Sequence, residues 1–592
     1  MCLLSHSERE ISDIFYVSFR YIPGVEMATR ILIIGGVAGG ATAAARARRI
    51  SESAEITLLE RGPYVSFANC GLPYYISGAV AKRSKLLLQT PEGFDARYGV
   101  KVLVNAEAVE IDRRGKRVRV VGPSPSSEDD REVESWLPYD KLLLAQGGNP
   151  ILPTLPGVDS PNVFKLWTVP DVDRIKGYLD AHSPGSALIA GGGFIGLEMA
   201  EAFRERGLAV TVVELMPRIM STMDPEFGAM IGAKLEEHGV RVMTGLGLKS
   251  IRGADGAAEL SDGSLVDAGI VLLSIGARPE LALAGTAGLA IGGSGGLEVD
   301  DELRTSDPDI YAVGDMVEVL HKVSGRKVRA PLAGPASRQG RIAASNALGM
   351  HVKYRGALGT SVFKAFDGVA ASTGLGERAA REAGFDVGAA VVYKDSHASY
   401  YPGGRELVLK IVYDRKNARL LGAQAFGTEG VEKRIDVLAT ALHGRMTVDD
   451  LAELDLAYAP PFSSANDPVN VAAFVAQNDI SAYSPLETAA GLKAALAAAK
   501  AGGPRALVLD VRNVNEYEEG HIEGTLNLPL DELRFRLDEV PAGVRVHVHC
   551  RTGFRSHLAL RILKGNGYDE VVNVSGGYMA ILAEGGFDLE RA

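Results

Sequence analysis

Two glycine-rich turns constrain this chain more than any other feature. Each lies between an apolar run and a helix-forming run, and each is followed by a second apolar run that ends in an acid. The first is Arg30-Ile31-Leu32-Ile33-Ile34 entering Gly35-Gly36-Val37-Ala38-Gly39-Gly40, with Ile56-Thr57-Leu58-Leu59-Glu60 after it. The second is Ala187-Leu188-Ile189-Ala190 entering Gly191-Gly192-Gly193-Phe194-Ile195-Gly196, with Val210-Thr211-Val212-Val213-Glu214 after it. Strand, glycine turn and helix let a backbone approach a pyrophosphate, and the helix N-terminus offers it free N–H groups and positive dipole. An acid about 20 residues on hydrogen-bonds a ribose hydroxyl. The pattern predicts two dinucleotide-binding units of parallel sheet, with Gly35, Ala38, Gly39, Gly40 and Glu60 in the first site and Gly191, Gly193, Gly196 and Glu214 in the second. The first turn departs from G-x-G-x-x-G, because Val37 holds the middle glycine position. Glu214 favours NADH over NADPH, although the nearby Arg218 could accept a 2′-phosphate. Two nucleotide folds in one chain suggest two dinucleotides exchanging a hydride.

A chain of 592 residues exceeds what one hydrophobic core serves, so several domains are expected. Residues 1–27 form an N-terminal extension without a signal-peptide pattern, and Met27 is an alternative start. No apolar run reaches the roughly 20 residues of a membrane span. A net charge of -11 argues against a nucleic-acid partner, and three scattered cysteines argue against a disulfide-stapled secreted fold. A cytoplasmic protein is expected, with no metal site.

The three cysteines are Cys2, Cys70 and Cys550, so Cys70 has no local partner for a redox disulfide. Any second sulfur must come from outside. Cys550 ends the apolar run Val546-His547-Val548-His549 and opens Cys550-Arg551-Thr552-Gly553-Phe554-Arg555-Ser556. The loop leads into a helix, and its N–H groups can converge on an anion at the sulfur, with Arg551 and Arg555 as candidate contacts. Cysteine phosphatases need arginine six positions after the cysteine, where this chain has Ser556.

With the motifs in this order, residues 28 to about 475 resemble the pyridine-nucleotide disulfide oxidoreductases. Ser66-Phe67-Ala68-Asn69-Cys70-Gly71-Leu72-Pro73 is similar to the single-cysteine, coenzyme A-disulfide reductase branch. Residues from about 486, through Asp510-Val511-Arg512, Gly520-His521-Ile522-Glu523-Gly524 and the Cys550 loop, resemble a single rhodanese domain. The resemblance implies an α/β chain with two Rossmann-like domains, for FAD (28–150 and 270–350) and NADH (151–269). An α+β dimerisation domain (351–475), a linker (476–485) and a rhodanese domain (486–592) would follow.

The same resemblance assigns Ala145, Gly147, Gly276, Gly314 and Asp315 to the cofactor sites, with Gln146 standing where the family usually has threonine. It implies that Cys70 forms a mixed disulfide with coenzyme A, beside Ser66, Phe67 and Asn69, and that Arg46 or Arg49 receives the nucleotide end. Tyr400 and Tyr458, with Tyr401 a further candidate, would reach into the partner subunit's active site in a homodimer. A cysteine beside a helix N-terminus and a flavin is expected to be held as thiolate. The activity this implies is NADH-dependent reduction of coenzyme A disulfide, coenzyme A persulfide or polysulfide, with Cys550 carrying sulfane sulfur. The alternatives are an NADH oxidase or peroxidase cycling Cys70 through a sulfenic acid, and a redox-sensing sulfur-delivery protein.

Overall fold

The computed structural model describes residues 28–123, 132–252 and 256–590. The N-terminal extension, Cys2 and Met27 lie outside the described residues. The first domain is built on a five-stranded parallel sheet in the spatial order Ile310–Ala312, Lys141–Leu144, Arg30–Ile34, Glu55–Leu59, Lys101–Leu103. Ile31 to Ile34 are buried, as a central strand covered on both faces requires, and this explains their continuous apolar run. Helices Ala38–Ile50 and Ala333–Ala347 pack at backbone contact: a Cβ on Gly340 would stand 2.1 Å from the Gly39 carbonyl oxygen. The strand order reverses beside Arg30–Ile34, so the first glycine turn opens at a topological switch point.

The second domain repeats the plan in the order Val240–Thr244, Ala209–Glu214, Ser186–Ala190, Ile270–Leu273, Val163–Phe164. This moves one expected boundary. Ile270–Leu273 pairs with Ala187 to Ala190, so the second domain extends past residue 269 before the chain returns to the first. An apolar run of four residues suits either sheet, and only the pairing decides.

The third domain is a five-stranded antiparallel sheet, ordered Ser361–Ala365, Gly368–Gly374, Leu420–Gly427, Glu406–Asp414, Val387–Asp395. Helices Val431–His443 and Pro468–Ile480 pack on it. The second helix starts from an Asp467–Asn470 capping box and runs beyond residue 475, which shortens the expected linker to residues 481–485. Lys410 is buried at the seam with the second domain, 2.7 Å from Asp224, 2.5 Å from Glu226 and 2.7 Å from Glu377.

The fourth domain is a parallel sheet in the order Leu486–Glu487, Val571–Val574, Arg545–His549, Ala506–Asp510, Leu526–Asn527. It is docked on the others. Helix Gly577–Glu584 packs against Pro225–Glu237 of the second domain, and the Val391 N–H of the third donates to Ser575 Oγ at 2.8 Å. No helix among the described residues is long and apolar enough to cross a membrane.

Candidate active site

The two glycine turns have the same geometry. Gly35 and Gly191 take φ of +99° and +110°, and a Cβ on either would lie 2.3 Å from a carbonyl oxygen, that of Ala145 or of Ser274. A Cβ on Gly40 would lie 1.8 Å from the Gly35 oxygen, and one on Gly196 would lie 2.0 Å from the Gly191 oxygen. Glycine is therefore required at all four positions. A Cβ on Gly193 would meet nothing within 4 Å, so this side of the second turn is open to a ligand. Each acid closes its own turn. Glu60 accepts from the Gly36 and Gly62 N–H groups at 2.9 and 2.8 Å, and Glu214 accepts from those of Gly192 and Met216 at 2.7 and 2.8 Å. A carboxylate has about four acceptor sites, so both acids retain capacity for a ribose hydroxyl.

The expected FAD contacts meet around the first turn. Gly314 takes φ of +82° and donates its N–H to Gln339 Oε1 at 2.7 Å. The adjacent Asp315 carboxyl is pushed up by burial, and no side chain among the described residues hydrogen-bonds to it. Gln146 Oε1 is buried without a partner in the loop after Ala145, and Gly147 and Gly276 take φ of +67° and +110° at equivalent places in the two domains. Acceptors lacking donors fit the hydroxyls of a dinucleotide, and glycines that admit close backbone approach fit its phosphates.

Cys70 lies in the turn Asn69–Gly71, directly before helix Leu72–Ser77. Ser66, at φ of +47°, donates its N–H to the Gly36 oxygen at 2.8 Å and ties this segment to the first glycine turn. Phe67 is buried behind it, and Asn69 and Cys70 are exposed. Carboxylates of both nucleotide domains act on the thiol electrostatically. Although the residue has surface exposure, burial of the thiol is the largest influence raising its pKa; Glu198 and Asp315 add to the rise, and the backbone N–H opposes it. Desolvation and the two acids thus act against ionisation, and the expected thiolate draws on the flavin as well as on the helix N-terminus.

Sequence reasoning missed Glu198 and Tyr74. Tyr74 Oη donates to Glu198 Oε1 at 3.4 Å, and burial pushes Glu198 up to about 7 and Tyr74 up to about 12. Their signal was spacing: Tyr74 lies four residues after Cys70, and Glu198 is in the helix that follows the second glycine turn.

Cys550 is 1% exposed, and its Sγ accepts from the Gly553 N–H at 3.1 Å and from Ser556 Oγ at 3.5 Å. The two arginines diverge. Arg555 is held by Glu516 at 2.6 and 2.7 Å, and Cys550 adds to the rise of its pKa. Arg551, expected at the sulfur, instead pairs with Glu406 of the third domain at 3.0 Å, because domain docking places that carboxylate at the loop's edge.

Residues 29–340 match the pyridine nucleotide-disulphide oxidoreductase family. The chain belongs to that family. Residues 361–468 match the dimerisation domain of the same family, and residues 490–584 match the rhodanese-like domain. Membership implies FAD and NAD(P)H as cofactors, and the second module implies assembly through the third domain. The NAD(P)H sulfur oxidoreductase (CoA-dependent) of Pyrococcus abyssi is 36% identical over 453 residues, which is 76% of this chain and 99% of that protein. The crystal structure of reduced Bacillus anthracis CoADR-RHD is 40% identical with a TM-score of 0.89, covering 94% of this chain and 98% of that one. A NAD-dependent persulfide reductase structure from A. fulgidus is 37% identical with a TM-score of 0.85, covering 93% and 100%. Both structural alignments extend through the rhodanese domain.

In this oxidoreductase the dimerisation domain brings two expected tyrosines together. Tyr400 and Tyr458 place their hydroxyls 3.1 Å apart, both rings exposed, while Tyr401 sets its edge against His397. On the helix after the first turn, Arg46 donates to Ser345 Oγ at 3.1 Å and is pushed down by burial and by Arg341 and Arg49. Arg49 is exposed, and its Nε donates to the Ala45 oxygen at 2.9 Å.

Proposed function

We propose that this chain is a FAD-dependent NADH:sulfur oxidoreductase that reduces coenzyme A disulfide, coenzyme A persulfide or polysulfide through a mixed disulfide on Cys70, with Cys550 handling sulfane sulfur. The observation that carries the reading is the position of Cys70: a free, exposed thiol in the turn before helix Leu72–Ser77, tied through Ser66 to the first glycine turn. The names of the relatives, CoA-dependent sulfur oxidoreductase and persulfide reductase, support it.

Gly35, Ala38, Gly39, Gly40, Glu60, Ala145, Gly147, Gly314 and Asp315 would hold FAD, and Gly191, Gly193, Gly196, Glu214 and Gly276 would hold NADH. Bound together, the two dinucleotides supply an electron pair to a sulfur beside them. Arg218, four residues after the second ribose acid, gives its guanidinium to the Glu584 carbonyl of the rhodanese domain, which favours NADH over NADPH.

The Cys70 thiolate attacks one sulfur of the substrate, forming a new S–S bond and breaking the old one. Coenzyme A disulfide releases one coenzyme A thiolate, and coenzyme A persulfide attacked at its inner sulfur releases hydrosulfide. Two electrons and one proton then return Cys70 to thiolate and free the bound coenzyme A as thiol. The departing anion needs a donor. The Tyr400–Tyr458 pair of the partner subunit fits that role, because a phenol donates a hydrogen bond where phenylalanine cannot. Arg46 and Arg49 would receive the nucleotide phosphates. In the rhodanese loop the Gly553 N–H and Arg555 would stabilise a Cys550 persulfide, while Arg551 anchors the loop to Glu406. Free thiols at Cys70 and Cys550 suit a reducing compartment, which supports a cytoplasmic location.

Anaerobic NADH consumption tests the reading. Rates that rise with coenzyme A persulfide or polysulfide and vanish in Cys70→Ser are expected. Turnover that requires oxygen or peroxide would overturn it in favour of an oxidase or peroxidase.

A further inference from the structure

The boundary between the first domain and the dimerisation domain carries a group of cations that the proposed reaction does not use. Lys322 and Arg355 lie on adjacent segments, since the Lys322 N–H donates to the Ala357 oxygen at 3.0 Å and the Ala357 N–H returns to the Leu320 oxygen at 2.9 Å. Lys322 Nζ then crosses to the dimerisation domain and stands 2.7 Å from His443 Nδ1, at the C-terminal end of helix Val431–His443. Arg445 follows two residues later, and Arg338 approaches from helix Ala333–Ala347, close enough to act on Lys322 and on Tyr354.

What this group lacks is a carboxylate. Among the described residues, no ion pair or side-chain hydrogen bond to an acid engages Lys322, Arg338, Arg355 or Arg445. Lys322 is pushed down by burial and by Arg355, Arg338 and Arg445, and His443 by Lys322, burial and Arg355, with no acid opposing either shift. His443 can accept from a lysine ammonium only when neutral. In a chain of net charge -11, four cations and a neutral histidine gathered from two domains have no acid paired with them among the described residues. Uncompensated charges at this spacing raise the local free energy and attract a multivalent counter-ion.

We infer that Lys322, Arg338, Arg355, His443 and Arg445 form a binding site for a pyrophosphate-type anion, separate from both glycine turns and from Arg46 and Arg49. Several clustered cations call for a ligand with at least two negative charges. Guanidinium forks match phosphate oxygens in bidentate fashion, whereas an ammonium binds as a point charge. Because the cations belong to two domains, the bound anion bridges them.

Inorganic pyrophosphate is the probe, titrated calorimetrically into the FAD-loaded enzyme with NAD+ saturating the second glycine turn. Saturable binding is expected, and Arg355→Glu with Arg445→Glu should weaken it by at least about a hundredfold, roughly tenfold for each lost charge-assisted contact. Unchanged FAD content and dimer mass confirm that the variant is folded. Competition by coenzyme A would identify the substrate's phosphates as the source of the anion, and absence of competition would identify a free polyphosphate; either outcome supports the site. It is overturned by no saturable binding to the wild-type enzyme, equal binding to the charge-reversed variant, or succinate binding as tightly as pyrophosphate. Dissociation of the charge-reversed dimer without loss of pyrophosphate binding would also overturn it, by making the cluster a subunit contact.

Discussion

Arg551 Nη1 and Glu406 Oε2 lie 3.0 Å apart, so the residue directly after the sulfur-carrying Cys550 is tied to a strand of the dimerisation domain. The pair is about half exposed, and such pairs contribute about 0–1 kcal/mol. Glu406→Lys should therefore leave the midpoint of thermal unfolding nearly unchanged. It should release the rhodanese loop from its neighbour, speeding protease cleavage within residues 481–485 several-fold. Equal cleavage rates in variant and wild type would show that Arg551 does not hold the domain.

The buried ion cluster at Lys410 predicts the opposite behaviour. Lys410→Met leaves Asp224, Glu226 and Glu377 facing one another without their cation. Removing one partner from a buried charge cluster costs about 3–5 kcal/mol. Chemical denaturation should show a loss of that order in the transition involving the second and dimerisation domains. A loss below about 1 kcal/mol, as for a surface pair, would contradict this account.

The parts legible in the sequence are those where backbone geometry permits one residue type. Gly35, Gly40, Gly191 and Gly196 each stand where a Cβ would strike a carbonyl oxygen, so both cradles could be read from glycine spacing alone. The boundary expected at residue 270 lies past Ile270–Leu273, because a fully buried parallel strand has the same pattern wherever it pairs. Arg551 was assigned to the sulfur because its partner, Glu406, is distant in sequence and is brought to it only by domain docking. At Cys70 the helix N-terminus is visible in sequence, whereas the acids that oppose ionisation are distant in sequence, Glu198 in the second domain and Asp315 far along the first.

The acids around Cys70 give a pH prediction. Burial, Glu198 and Asp315 raise the Cys70 thiol, and Glu198 itself, pushed up to about 7, becomes more fully charged as the pH passes that value. In a Cys550→Ser background, Glu198→Gln removes that charge and favours the thiolate. Alkylation of Cys70 in the FAD-free protein should then be a few-fold faster at pH 8, with its pH midpoint moved downward. A midpoint that stays in place would remove Glu198 from the Cys70 site.

Glu214 closes the second glycine turn through the Gly192 and Met216 N–H groups and is the proposed ribose acceptor. Glu214→Ala loses both contacts and the repulsion of a 2′-phosphate. KM for NADH should rise about tenfold, and the kcat/KM ratio of NADH to NADPH should fall. Unchanged constants for both nucleotides would place the ribose elsewhere.

The central claim is that the second sulfur at Cys70 belongs to coenzyme A. Intact-protein mass spectrometry after anaerobic incubation with coenzyme A disulfide, without added reductant, tests it most directly. The account predicts one coenzyme A adduct per chain, mapped to Cys70, removed by dithiothreitol and absent in Cys70→Ser. An unmodified Cys70 under these conditions, or an adduct found at Cys550 instead, would contradict it.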